Sequence, residues 1–409
     1  MSKVEGRPFL VVLLVIILAL LLVNLVLTGT LPRQPVTVPT FITVTQPGAG
    51  GVTTVTVVNT VTQTVAGLGA PPAKLTVFFF DPSPANPWWD ILAKGVEDAV
   101  NDLKLLGVSV DYKRFDSTSL NVQTSQLQQA IALKPDVAII GPISDAVQEV
   151  VKQLRQTGSK VILVDRDFPD QTARDLYLGT DNKWAAQIEA EAFLKWLEAR
   201  GVPKPWKIVI FKGLPGLPTS YLRYQGFMEA LKPYLDRGDA QVLEEVEVNP
   251  DSLPDCNAKA SAIVPKYGKI VTAYFATNIL QAMAIVQALK NNNLVPGKDI
   301  YVLGFDAQVP EWVNLIAEGQ VVMTIQQHPY TMGYWAVWAG YFLVTGQMKL
   351  PEKAVINTPT YKVIACNATY SLLLDYFKIP PTELLRLSTQ LTPTNPQIHA
   401  PDYYSYNCG

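Results

Sequence analysis

Histidine is nearly missing from this chain of 409 residues: there are two, His328 and His399. Cysteine is equally scarce, with Cys256, Cys366 and Cys408 only. A multi-histidine zinc site, a four-cysteine finger and a disulfide-built scaffold are therefore excluded. Charge is also low, 17% of residues, against about 25% in ordinary globular domains. Lys and Arg total 33 and Asp and Glu 35, a net charge of −2. No basic excess points to nucleic acid and no acidic excess to a solvating tail. The common catalytic signatures are missing too. There is no G-x-x-x-x-G-K-[ST], no G-x-G-x-x-G after the first strand, no G-x-S-x-G and no H-E-x-x-H. Gly213-Leu-Pro-Gly216 lacks the lysine of a phosphate loop and reads as a strand-to-helix turn. Asp165 and Asp167 are a possible carboxylate pair, but both flank Arg166, which favours binding over glycoside chemistry. His328 precedes Pro329 and reads as a turn or hinge residue. No nucleophile–base pair is visible. The expectation is a protein that is not an enzyme and needs no cofactor or metal.

What is present begins with a long apolar run. Phe9 to Leu27 holds 19 residues, one of them polar (Asn24) and none charged. As a helix it spans roughly 28 Å, close to a bilayer's hydrocarbon core. Lys3 and Arg7 precede it, which places the short tail in the cytoplasm and the rest outside. A cleaved signal peptide is the rival reading, but its apolar region is usually shorter. No cysteine directly follows the run, so lipid attachment there is excluded. Thr28 to Ala73 carries twelve Thr, nine Val and a single charge, Arg33. Such a segment reads as a stalk, with a strand-forming Thr/Val stretch as the alternative.

From Lys74 the pattern changes to short apolar strands alternating with amphipathic helices. Leu75–Phe80, Val108–Tyr112, Asp136–Ile140 and Lys160–Val164 read as strands separated by helical spacing. The pattern restarts after Gly201 with Trp206–Phe211, Val242–Val248, Ile270–Ala276, Ile300–Gly304 and Val321–Ile325. Continuous apolar strands alternating with helices predict α/β lobes with doubly wound parallel sheets covered on both faces. About ten strands exceed one comfortable core, so two similar lobes are expected. The ranges are 74–181 plus about 328–355, and 182–327 plus about 356–369, with 370–409 as a C-terminal extension.

In doubly wound sheets ligands meet the carboxyl ends of the strands. The first strand is followed by Asn86-Pro87-Trp88-Trp89, and Lys160–Val164 by Asp165-Arg166. Later strands are followed by Thr277-Asn278, Phe305-Asp306 and Gln326-Gln327. Asp accepts from hydroxyls, Arg donates to two oxygens at once, and Asn and Gln do both. Indole rings pack on the C–H faces of a sugar. Each residue also has a plainer role: Trp88 and Trp89 as core, Asp165 as a cap or partner of Arg166, Asn278 as a helix cap, Asp306 as a turn residue and Gln327 as an exposed amide. Their conjunction at successive strand ends favours a cleft for a neutral polyol.

On these residues the chain resembles the ribose/galactose-type sugar-binding proteins of ABC transporters, with the type I periplasmic binding fold. The markers are Asn86-Pro87-Trp88-Trp89, Val164-Asp165-Arg166, Tyr224-Gln225-Gly226-Phe227, Phe275-Ala276-Thr277-Asn278, Gly304-Phe305-Asp306 and Thr324-Ile325-Gln326-Gln327. The resemblance covers roughly residues 74–364. It implies two lobes joined by three crossovers, a monosaccharide between them, and an ABC permease as partner. The same fold serves lactose-repressor-type regulators, but no helix-turn-helix is present. Where relatives carry a sugar-binding arginine before the Gly-Phe segment, this chain has Tyr221, with Arg223 two residues later. Tyr221 therefore joins the candidate ligand residues. The long anchor and Thr-rich stalk resemble archaeal solute-binding proteins. A tethered sugar-sensing ectodomain and a binder of a non-sugar polar solute are the alternatives. Cys366 and Cys408 could bridge the end of the fold to its tail, leaving Cys256 as a buried thiol.

Overall fold

A computed structural model describes residues 37–48, 51–62, 74–374 and 378–403. The chain divides into two compact units, 1–70 and 71–409. The expected anchor, Phe9–Leu27, lies outside the described residues; among the described residues no helix is long and apolar enough to cross a membrane.

In the first unit, β1 (Thr37–Gly48) and β2 (Gly51–Thr62) form an antiparallel hairpin. The register runs from Thr37 opposite Thr62 to Gly48 opposite Gly51. β-branched Thr and Val suit a pleated ladder, so this part of the expected stalk folds back on itself instead of running extended.

The second unit is built on two parallel sheets. Its strands are β3 (Leu75–Asp81), β4 (Val110–Asp116), β5 (Val137–Ile140), β6 (Lys160–Val164), β7 (Leu176–Gly179), β8 (Trp206–Lys212) and β9 (Ala240–Glu247). They continue with β10 (Ala273–Ala276), β11 (Tyr301–Leu303), β12 (Thr324–Gln326), β13 (Val355–Asn357), β14 (Tyr361–Val363) and β15 (Gln397–His399). The first sheet has the order β15-β13-β7-β6-β5-β3-β4 and the second β11-β10-β8-β9. All pairings in both are parallel. β5 and β10 are buried along their whole length, as a strand covered on both faces must be.

Helices covering each sheet pack against one another at unusually close range. In the first lobe, helices Pro87–Leu105 and Pro329–Val344 cross at Gly95 and Gly333. A Cβ on Gly95 would sit 2.1 Å from the Tyr330 carbonyl oxygen, and one on Gly333 2.1 Å from that of Leu92. In the second lobe, helices Asn182–Ala199 and Pro218–Asp236 meet at Gly226, where a Cβ would be 2.0 Å from the Lys183 oxygen. Only glycine permits such backbone contact.

Three segments carry the chain between the sheets: 180–181 after β7, 327–328 after β12 and 358–360 after β13. β12 and β14, the strands beside the last two crossings, pair antiparallel. The strand Val355–Asn357 runs two residues beyond the expected lobe boundary. The tail is also more than an appendage. Helix Pro381–Ser388 follows the main fold, Trp335 Nε1 donates to the Ile379 oxygen at 3.0 Å, and β15 adds an edge to the first sheet. Cys256 is a free, buried thiol and Cys366 is disulfide-bonded; Cys408 lies outside the described residues.

Candidate ligand cleft

The strand ends of both sheets converge on one point. From the first sheet come Asn86, Trp88 and Trp89 after β3, and Asp165 and Arg166 after β6. From the second sheet's side come Asn278 after β10, Asp306 after β11 and Gln327 after β12. Eight of the nine sequence-expected residues thus line a single small space of about 30 Å³. All eight are less than a tenth exposed.

Local chemistry fixes each of them. Asn86 caps its helix through Oδ1, which accepts from the Trp88 amide at 3.1 Å. Its amide nitrogen is left for the cleft, so the capping and ligand roles coexist on one side chain. Asn278 does the same, with Oδ1 accepting from the Leu280 amide at 2.7 Å. Trp88 and Trp89 meet edge to face, 5.0 Å between centroids, and Arg166 lies 5.7 Å from the Trp89 ring centre. Asp165 and Asp306 both adopt positive φ, 63° and 95°. Left-handed backbone at two non-glycine strand ends is strain of the kind held at functional sites.

The carboxylates are poised by burial. Desolvation pushes Asp165 up to about 6, opposed by Arg166 and Arg223. Desolvation also raises Asp306, opposed by Arg223 and by the Gln327 amide, which donates to its Oδ1 at 2.6 Å. Asp81, at the end of β3, is pushed up to about 6 by burial and held by Arg114 at 2.7 Å. One buried acceptor, Gln327 Oε1, has no partner here, while the Trp88 side chain answers the Asp306 carboxyl. A buried polar group without a partner is costly unless something else satisfies it.

Tyr221 is the exception among the expected residues. It is 58% exposed, and its hydroxyl accepts from Gln225 at 3.0 Å. Arg223 reaches the cleft in its place. Two helical residues differ by about 200° around the axis, so the two side chains leave opposite faces. Arg223 shares its face with Gly226, Phe227 and Ala230, all buried. That spacing is visible in sequence and identifies the arginine. Arg223 donates to Asn182 Oδ1 at 2.7 Å and to the Thr277 oxygen at 2.9 Å, with its guanidinium 3.7 Å from the Phe305 ring centre.

Asp251, on the loop after β9, comes from Asn249-Pro250-Asp251, a stretch the resemblance offers as a further contact without a secure alignment, and it lines the cleft. It accepts from Arg166 Nη2 at 2.8 Å and Asn86 Nδ2 at 3.3 Å. These bonds tie the second-sheet side of the cleft to the first. Asp167 stays out of the cluster: Arg174 holds both of its oxygens, at 2.7 and 2.6 Å. The carboxylate-pair alternative therefore has one member committed to a structural ion pair. His328, at the second crossing, is fully buried, its ring 4.9 Å from Tyr361. Desolvation pushes it down to about 3, so the imidazole is neutral at pH 7.

Residues 77–348 match a family described as a periplasmic binding protein domain. A multiple sugar-binding periplasmic receptor, ChvE of Rhizobium radiobacter, is 24% identical over 243 residues, 56% of this chain and 68% of that protein. A solved galactofuranose binding protein superposes with a TM-score of 0.65 at 20% identity, covering 74% of this chain and 98% of the other. GanP, a glucose-galactose binding protein of Geobacillus stearothermophilus, superposes with a TM-score of 0.61 at 24% identity, covering 71% and 98%.

Proposed function

The chain belongs to the periplasmic binding protein family, and from that premise we propose that it captures a monosaccharide outside the cytoplasm and delivers it to an ABC permease. The carrying observation is the cleft itself. Donors and acceptors from both sheets converge there beside two indole rings, and the buried Gln327 Oε1 lacks a partner. Relatives named for galactofuranose, glucose and galactose support a hexose-sized ligand, and solved relatives in complex with D-arabinose a pentose-sized one. In this reading Asn86, Trp88, Trp89, Asp165 and Arg166 grip the sugar from one lobe. Asn278, Asp306, Gln327 and Arg223 grip it from the other.

The lobes are residues 74–181 with 328–357, and 182–327 with 358–369, turning about the three crossings. A sugar ring does not fit the 30 Å³ between shut lobes, so entry requires the cleft to part. Bonds from Asn86 and Arg166 to Asp251 are then exchanged for bonds to hydroxyls. Contacts from the second lobe form only on closure, so ligand shifts the population toward the closed form that a permease reads. Phe9–Leu27 serves as an uncleaved anchor in this scheme, supported by its 19-residue length and lack of charge. Retention in the membrane pellet after alkaline extraction checks that part.

The test is a titration of the full chain with pentoses and hexoses, followed by tryptophan fluorescence and calorimetry. Trp88 and Trp89 report directly because both face the cleft. A saturable response to one sugar class is expected. A flat response across the panel from folded protein defeats the proposal.

A further inference from the structure

A binding protein that closes fully around its ligand rejects any substituted form of it, unless space remains when the lobes are shut. Here the central space shuts to about 30 Å³, while a groove beside it keeps about 430 Å³. That lies within the ~300–1,000 Å³ range of small-molecule sites. Asp165 and Thr219 line both spaces, so the groove opens from the wall of the cleft. It runs along the carboxyl ends of β7 and β13, where Thr180 and Asn357 stand.

The groove has the chemistry of a polyol site. Thr180 and Asn357 stand in its wall, 3% and 2% exposed, and their Oγ1 and Nδ2 atoms, just behind the surface and closed to water, have no partner. One is a hydroxyl that both donates and accepts, the other an amide donor. Phe168, Tyr177, Leu222 and Val355 supply apolar wall for the C–H face of a ring. Three of its four charged residues are already engaged, the fourth being Asp165 in the shared wall. Asp167 is held by Arg174 at 2.6 Å, Asp181 lies 3.3 Å from His399 Nε2, and Lys183 lies 2.7 Å from Glu229. With Asp167 and Lys183 paired and the carboxyls of Asp165 and Asp181 in the wall, the surface suits a neutral ligand better than an anion.

We propose that the groove between the ends of β7 and β13 seats a second sugar ring attached to the one in the cleft, so that the ligands include a disaccharide or glycoside. This rests on the cleft being a sugar site. The ligand would lie with one ring enclosed and the other against Thr180 and Asn357, leaving closure unhindered.

The experiment is calorimetry on the full chain with free D-galactose, L-arabinose and D-allose. For each sugar that binds, its methyl glycoside and disaccharides carrying it at either end follow. At least one disaccharide should bind within about tenfold of the free sugar. Thr180→Val and Asn357→Leu, each close in size to the original, should weaken that disaccharide fivefold or more. Both should leave free-sugar affinity within about twofold, which also reports that the variants fold; if Asn357→Leu fails to fold, Thr180→Val alone carries the comparison. Rejection of every disaccharide by a chain that binds the free sugar overturns the proposal and leaves the function standing. Equal weakening of both ligands overturns it as well. Failure to bind any sugar defeats the cleft reading, and this one with it.

Discussion

Asp165→Asn should abolish sugar binding and stabilise the fold, two effects of opposite sign from one atom. The Asp165 carboxyl is 6% exposed, and desolvation raises it from 3.8 to about 6. A raised folded value means that the folded chain holds the proton more tightly than the unfolded chain does. Between pH of about 4 and about 6, stability therefore falls as pH rises. At neutral pH the ionised group costs about 3 kcal/mol relative to its neutral form, at 1.36 kcal/mol per unit. Asparagine keeps the shape and stays neutral, so denaturant unfolding at pH 7 should show a gain of that order. The gain should vanish near pH 4, where wild-type Asp165 is itself protonated. Binding moves the other way. Hydrogen bonds to a charged acceptor are worth about 1.5–3 kcal/mol each, and a carboxylate gripping two hydroxyls supplies two. Calorimetry should show a loss of roughly 100-fold or more. A variant that binds its sugar within about threefold of wild type, or that is less stable at pH 7, refutes the reasoning.

Arg223→Lys loses the fork that spans Asn182 and Thr277 and should weaken free-sugar binding at least ~10-fold, whereas Tyr221→Ala should leave it unchanged; the reverse result would restore Tyr221 to the site. Asp251→Ala removes both bonds across the cleft. At about 1.5–3 kcal/mol for a charged bond, the ligand-free chain should populate open forms ~10-fold more, seen as a larger radius in small-angle scattering; an unchanged profile would dismiss Asp251 as a clasp. His328 is pushed down to about 3 by burial, so its contribution to stability is complete above its ordinary value of 6.5 and is lost as pH falls toward 3. The loss is about 1.4 kcal/mol per pH unit. His328→Leu should flatten that part of the acid limb in denaturant titrations, and an identical limb would show that another group sets it.

Much of this molecule is written locally in the chain. Short continuous apolar runs such as Val137–Ile140, bounded by turn residues, read as strands buried on both faces, and the residues after them then stand at a strand end. That is why Asn86, Trp88, Trp89, Asp165, Arg166, Asn278, Asp306 and Gln327 were legible before any fold was known. Helix Asn182–Ala199 was not legible, because the first half of its buried face is alanine and polar residues, at 182, 185, 186, 189 and 190, which gives a weak apolar rhythm before Phe193, Leu194 and Leu197. Arg223 was available in principle from its spacing to Gly226 and Phe227, but analogy to relatives favoured Tyr221.

Other features depend on parts of the chain far apart in sequence. β15 is three residues with no pattern of their own, and it is a strand only because β13 lies beside it. Asp251 belongs to the cleft only because the crossings at 180–181, 327–328 and 358–360 bring the second sheet's loops against Arg166, 85 residues away in sequence. The raised Asp165 carboxyl and the lowered His328 imidazole follow from burial, a property of the assembled protein. Sequence by itself determined which side chains stand at the ends of strands, since alternation and apolar runs are local. Tertiary structure decided which of those ends face one another, which helix face turns inward and what space is left when the lobes shut, because those depend on how distant segments pack.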